Sequence, residues 1–192
     1  MYKSTDYEVP PHSWNKISYL ADLFRRELQL SDDQYFPVME FIESILPDMK
    51  LNFHLRIADK KELGNVGGLT DPQGKFIILR EDIYRDAYDG NGRARFTVAH
   101  EFAHLFLHTN VPLQRVIDSH EIPAYRSSER QADQFAAELL MPRSGMPKFK
   151  TPEEVAKCYK VSLKAAKVRM KTLNRNKKGL SCNSNPKEFT SG

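Results

Sequence analysis

The sequence predicts an α+β fold that is mainly helical, with a few short strands and a helix pair toward the C-terminus. Three observations carry this. Apolar residues recur at helical spacing in several segments. Two short stretches, 51–58 and 76–79, instead read as strands between glycines and turn residues. The segment Arg95–His108 is apolar on nearly every side, as a buried helix would be. At 192 residues the chain is one medium domain, or a domain with a small appendage, and it can bury a core without staples.

The elements follow in order. Ile17, Leu20, Ala21, Phe24 and Leu28 outline an amphipathic helix ending near Gln29. Ser31-Asp-Asp-Gln34 is a capping-box pattern, but Pro37 places the start of the next helix nearer Phe36. Val38, Phe41, Ile42 and Ile45 give that helix its inner face, and Pro47 is expected to close it. Residues 51–58 alternate as a half-buried strand with His54 on the polar side. Gly64, Gly67 and Gly68 mark a loose turn, and Gln73-Gly74 a tighter one before the strand Phe76–Leu79. Tyr88-Asp-Gly-Asn-Gly-Arg93 reads as a flexible lead into the apolar helix. Residues 109–126 form the longest stretch without periodicity.

That apolar helix contains His100-Glu101-Phe-Ala-His104. Histidines four apart share one helical face and can reach one ion. Glu101 lies beside that face, where a carboxylate can hold a water without ligating the metal. His108 lies one turn further, too far along the axis to join them. It is assigned to the helix C-terminus, where a partly charged imidazole is favoured. Downstream, Ala132, Phe135, Ala136, Leu139 and Leu140 form a second amphipathic stripe, capped by Ser127 or Ser128 and ended by Pro142. Glu129 and Asp133 border that stripe, four apart. The plain alternative is a surface pair of Glu129 with Arg126 or Arg130. Packed on the first helix, Glu129 would instead complete a His, His, Glu set with one open position, the arrangement of a catalytic zinc. Asp133 is placed to accept the free ring N–H of a ligand histidine.

Phe96-Thr-Val-Ala-His-Glu-Phe-Ala-His-Leu-Phe-Leu-His108, followed by Glu129-x-x-Ala-Asp-x-Phe-Ala-x-x-Leu-Leu-Met-Pro142, resembles the ImmA/IrrE family of metallopeptidases, densely over residues 64–142. The resemblance implies a zincin-like domain in which His100, His104 and Glu129 bind one zinc ion and Glu101 is the catalytic base. It implies a small sheet above the active-site helix, one edge of which (66–70 or 76–79) takes substrate as an added strand. It also implies a partner, a helix-turn-helix repressor of a mobile element or stress regulon.

The net charge of +4 hides an asymmetry. Residues 143–178 carry twelve Lys or Arg and two acidic residues, so the remainder is net acidic. Thr151-Pro-Glu-Glu154 starts a helix, Val161-Ser162 breaks it, and Leu163, Ala166, Met170 and Leu173 continue a second. Lys164, Lys167, Lys171 and Arg175 on the outer face could track phosphates. Nothing near the second helix's start points to base readout, so direct DNA binding is not favoured over simple packing. The expected divisions are a catalytic domain over 1–142, basic helix-turn-helix-like helices over 143–178 and a disordered tail over 179–192.

Cys158 and Cys182 are too few for a disulfide framework or a cysteine zinc knuckle. No apolar signal region or membrane span is evident, so a cytoplasmic protein is expected. His120, Tyr125 and Arg126, with Tyr84 and Tyr88, are candidates to bond a developing oxyanion. The expected activity is zinc-dependent peptide hydrolysis of a regulatory protein. A metal-dependent regulator that cuts nothing, or the effector half of a toxin–antitoxin pair, would share the same site.

Overall fold

The computed structural model describes residues 6–50, 52–115 and 122–181. A short strand β1 (Tyr7–Glu8) leads into α1 (Trp14–Glu27), whose N-cap Ser13 accepts the Lys16 N–H at 3.2 Å. Ile17 and Ala21 turn inward from α1. Arg25 is buried as well, because its guanidinium donates to the carbonyls of Leu139, Ser31 and Gln34 at 3.0, 2.8 and 2.7 Å.

The next helix runs through the proline expected to end it. α2 (Val38–Glu40) passes into a π turn, Phe41–Ile45, and on into α3 (Leu46–Met49). A proline inside a regular helix loses a hydrogen bond and meets the carbonyl four residues back. Here the Leu46 N–H reaches back five residues to the Phe41 carbonyl, and this wider turn makes room for Pro47.

A three-stranded sheet follows, built from β2 (His54–Ala58), β3 (Gly68–Thr70) and β4 (Phe76–Arg80) in the order β2-β4-β3. β2 runs parallel to β4, and β3 antiparallel. The strand expected over 51–58 begins only at His54, since Asn52 takes a left-handed φ of 63°. His54 is exposed, as the alternation required. Of the two segments expected to offer an edge, 66–70 contains the edge strand. Residues 76–79 lie in the centre, with Ile77 and Leu79 fully buried.

α4 (Lys60–Leu63) joins β2 to β3, and α5 (Glu81–Tyr88) follows β4. The central helix α6 (Gly92–His108) is capped by Asn91, whose side chain accepts the N–H groups of Arg93 and Ala94. The expected flexible lead into α6 is instead a packed joint. A Cβ at Gly92 would lie 2.2 Å from the backbone of Val161 and Ser162, so only glycine permits the approach. β5 (Gln114–Arg115) pairs with β1, and α7 (Ser128–Leu140) returns across α6. Phe24 of α1 stands edge-on to Phe102 and Phe106 of α6, at 5.0 and 4.7 Å, and Phe102 meets Phe135 of α7 at 5.8 Å. The fully buried rings of Phe102 and Phe135 each stabilise the fold by roughly 1.5–3 kcal/mol.

α8 (Pro152–Tyr159), with a Thr151/Glu154 capping box, and α9 (Leu163–Ser181) complete the order. Val155, Tyr159, Val161 and Ala166 join the same core as α1, α6 and α7. Buried Glu138 of α7 fastens α9 by accepting from Arg169, while Arg143 reaches it at 2.7 Å. Burial would raise the Glu138 pKa, but Arg169 and Arg143 outweigh it and hold the carboxyl below its usual range. Glu138→Ala would strand Arg169 among apolar neighbours. A loss of about 3–5 kcal/mol in urea unfolding is expected. No helix among the described residues is long and apolar enough to cross a membrane. Most of the expected tail, residues 182–192, lies outside the described residues.

Candidate metal centre

The site forms where α6 and α7 cross. His100 and His104 project from successive turns of α6, and their Nε2 atoms lie 3.0 Å apart. Glu129, in the first turn of α7, brings Oε2 to 3.3 Å from His100 Nε2 and Oε1 to 3.4 Å from His104 Nε2. The three side chains thus present converging donor atoms, all within 4.8 Å of one another. Tetrahedral ligands about 2.0–2.1 Å from one ion would sit about 3.3–3.4 Å apart. The observed triangle fits such an ion. The donor set, two imidazoles and one carboxylate, suits zinc and leaves a coordination position open.

Charge at the site also favours a cation. Burial works against charge on His100, yet hydrogen bonds to Asp133 and Glu129 outweigh it and push its pKa up to about 10. Burial would raise Glu129, but His100 and His104 hold its carboxyl well below the usual carboxylate range. An ion at this point would replace the proton that His100 holds between two carboxylates.

Each metal-facing imidazole is held from behind. Asp133 Oδ1 lies 3.0 Å from His100 Nδ1. His104 Nδ1 meets Nδ1 of His108 at 3.0 Å, and His108 Nε2 meets Gln131 Oε1 at 3.2 Å. Hydrogen positions along this chain follow from its far end. The Gln131 amide nitrogen donates to two carbonyls, Pro10 at 3.0 Å and Tyr125 at 2.7 Å, so its oxygen must face His108. His108 therefore carries its proton on Nε2 and accepts on Nδ1. His104 then carries its proton on Nδ1, which leaves a bare Nε2 lone pair facing His100 and Glu129. His108 is not the charged helix cap expected from its position. It is 5 % exposed, and burial lowers its pKa to about 4, so it is neutral. Substituting leucine for His108 removes the acceptor behind His104. Zinc affinity, measured by competition with a chelator, is expected to fall about 10- to 100-fold.

The first turn of α7 is positioned from the other end of the chain. Asp6 accepts from the Ser127 hydroxyl at 2.8 Å, the Ser128 hydroxyl at 3.1 Å and the Glu129 N–H at 3.3 Å. A carboxylate at a helix N-terminus satisfies free N–H groups and favours the dipole. Ser127 caps from within, accepting the Arg130 N–H at 3.1 Å. No local pattern marks Asp6, because its partners are more than 120 residues away.

Glu101 faces the sheet. The edge strand β3 lies against it, and Thr70 Oγ1 is 2.8 Å from Oε2 and 2.9 Å from the Glu101 carbonyl. The glutamate is 8 % exposed, and burial raises its pKa despite the opposing histidines. A Cβ at Gly68 would lie 2.6 Å from Glu101 Cγ. Gly68 has no left-handed φ, so its absence of side chain serves space rather than backbone freedom. In Gly68→Ala the fold should persist while Glu101 is displaced, with hydrolysis falling by about 100-fold in a peptidase assay.

The oxyanion candidates do not gather here. Arg126 is bound to Glu8 at 2.5 Å, and Tyr125 is half exposed. Tyr84 and Tyr88 both donate to Glu43. His120 lies outside the described residues.

Residues 50–171, more than half of the chain, match the family model for peptidase M78, described as an IrrE N-terminal-like domain. The matched span holds the sheet, both site helices and the first half of α9, to residue 171. No curated protein matches the chain.

Proposed function

Since the chain belongs to the peptidase M78, IrrE N-terminal-like family of metallopeptidases, we propose that it is a cytoplasmic zinc-dependent endopeptidase whose substrate is a helix-turn-helix transcriptional repressor. The observation that carries the zinc assignment is the convergence of His100, His104 and Glu129 beside a buried carboxylate. When bound, the ion supplies a Lewis acid that acidifies water and polarises the scissile carbonyl.

The chain's own groups do the rest. The substrate adds as a strand to the free edge of β3, which runs over Glu101. Glu101 takes a proton from the attacking water as the new C–O bond forms. It then gives that proton to the amide nitrogen as the C–N bond breaks. Thr70 holds Glu101 toward the cleft, and Asp133 and His108 fix the ligand imidazoles. The repressor as substrate rests on the sequence resemblance.

New protein N-termini in cells expressing wild type or Glu101→Gln at matched levels test this reading. A cleavage in a DNA-binding protein, present only with wild type, is expected. Equal N-termini with an equal transcriptional effect would assign the site to regulation without cleavage.

A further inference from the structure

Beside the metal centre lies a groove of about 640 Å³, walled by α6, α7 and α9. It borders the centre at Asp133, which lines the groove and lies 3.0 Å from His100, while the three donor residues stand outside the lining. Phe96 and Thr97 bring it within one turn of His100 along α6. Trp14, Phe96 and Val168 give it apolar surface, and Val168 is 57 % exposed. Lys164, Val168 and Thr172 repeat every four residues, so one stripe of α9 faces the groove.

The charges are one-sided. Arg93, Arg130 and Lys164 are exposed on the lining, and none of them forms an ion pair among the described residues. Arg169 is neutralised by Glu138. Asp133 is the one carboxylate on the described lining, and His100 engages it.

We propose that this groove is a substrate subsite that takes a segment of the cleaved protein in which carboxylates alternate with bulky apolar side chains. The proposal rests on the peptidase reading for the groove's use, but not for its chemistry. Three cations without an ion pair among the described residues, around an apolar floor, complement such a segment, and a peptide running from the metal centre past Asp133 would reach the groove. Double-stranded DNA would find the cations but has no use for an apolar recess beside a metal.

Trp14 is the single tryptophan of the chain and lines the groove, so its emission reports occupancy. The full chain carrying Glu101→Gln is titrated with a tryptophan-free peptide of glutamates alternating with leucine and phenylalanine. The lysine-for-glutamate peptide and a short duplex DNA are the comparisons. The acidic peptide should bind about tenfold more tightly than the lysine peptide, as a few partly exposed charge pairs would give. Arg130→Glu combined with Lys164→Glu should reverse the order. Equal binding of the two peptides, a preference surviving the double variant, no saturable change in Trp14 emission, or displacement of the acidic peptide by the duplex would each overturn the proposal. Wild-type cleavage of a casein digest is scored separately. Cleavage without acidic preference in binding rejects the groove alone, and acidic preference without cleavage rejects only the peptidase reading.

Discussion

Glu101→Gln is expected to retain its metal and lose peptide hydrolysis by at least about 10²- to 10⁴-fold, the range attributed to a positioned acid–base group. Glutamine matches glutamate in size, and its amide oxygen can still accept from Thr70. Gly68 would meet the same Cγ as before. The one property removed is the capacity to take a proton and return it. The buried position of Glu101 and its raised pKa bring that capacity nearer to neutral pH than an exposed carboxylate would have. Zinc content by elemental analysis and hydrolysis of a peptide pool, measured on the same preparation, check this. A fully active variant would remove Glu101 from the mechanism.

Glu129→Ala is expected to lose the metal itself. Glu129 reaches both histidine Nε2 atoms, at 3.3 and 3.4 Å, and is the single carboxylate of the donor set. Its loss removes one of three ligands and the negative charge facing the pair. The drop in zinc affinity should exceed the roughly 10- to 100-fold typical of losing an outer hydrogen-bond partner. It should therefore be larger than that of His108→Leu. Unchanged zinc occupancy after dialysis against a chelator would exclude Glu129 as a ligand.

The contrast between these residues and their supports reflects what a sequence can display. His100, Glu101 and His104 are legible because a helix imposes their spacing, and Glu129 and Asp133 because they lie four apart at the border of an apolar stripe. α1, α6, α7 and the α8 capping box follow from the same local rules. Asp6 and Gly68 are not legible. Each acts through a contact made across the fold, on Ser127 and Ser128 in one case and on Glu101 in the other.

His108 shows the limit from another side. Its position at the last turn of α6 matches a charged cap, but Gln131 and His104 draw it inward, where desolvation keeps it neutral. Pro47 likewise signals a stop that the π turn before it cancels. α5 carries Glu81 and Asp82 at its start and turns Ile83, Tyr84 and Ala87 inward, but its eight residues repeat that spacing too few times to stand out. The basic segment is a similar case. Its charge is obvious, but the joint of Gly92 against Val161 and the burial of Arg169 against Glu138, which tie it to the central helices, are tertiary facts.

The most direct test is to strip the purified protein of metal and follow hydrolysis of a casein peptide pool as zinc is added back. Activity should be absent from the stripped protein, rise with zinc, saturate at one equivalent per chain, and fail to return in Glu101→Gln and Glu129→Ala. Hydrolysis that persists without metal, or returns equally in those variants, would contradict a zinc peptidase centred on His100, His104 and Glu129.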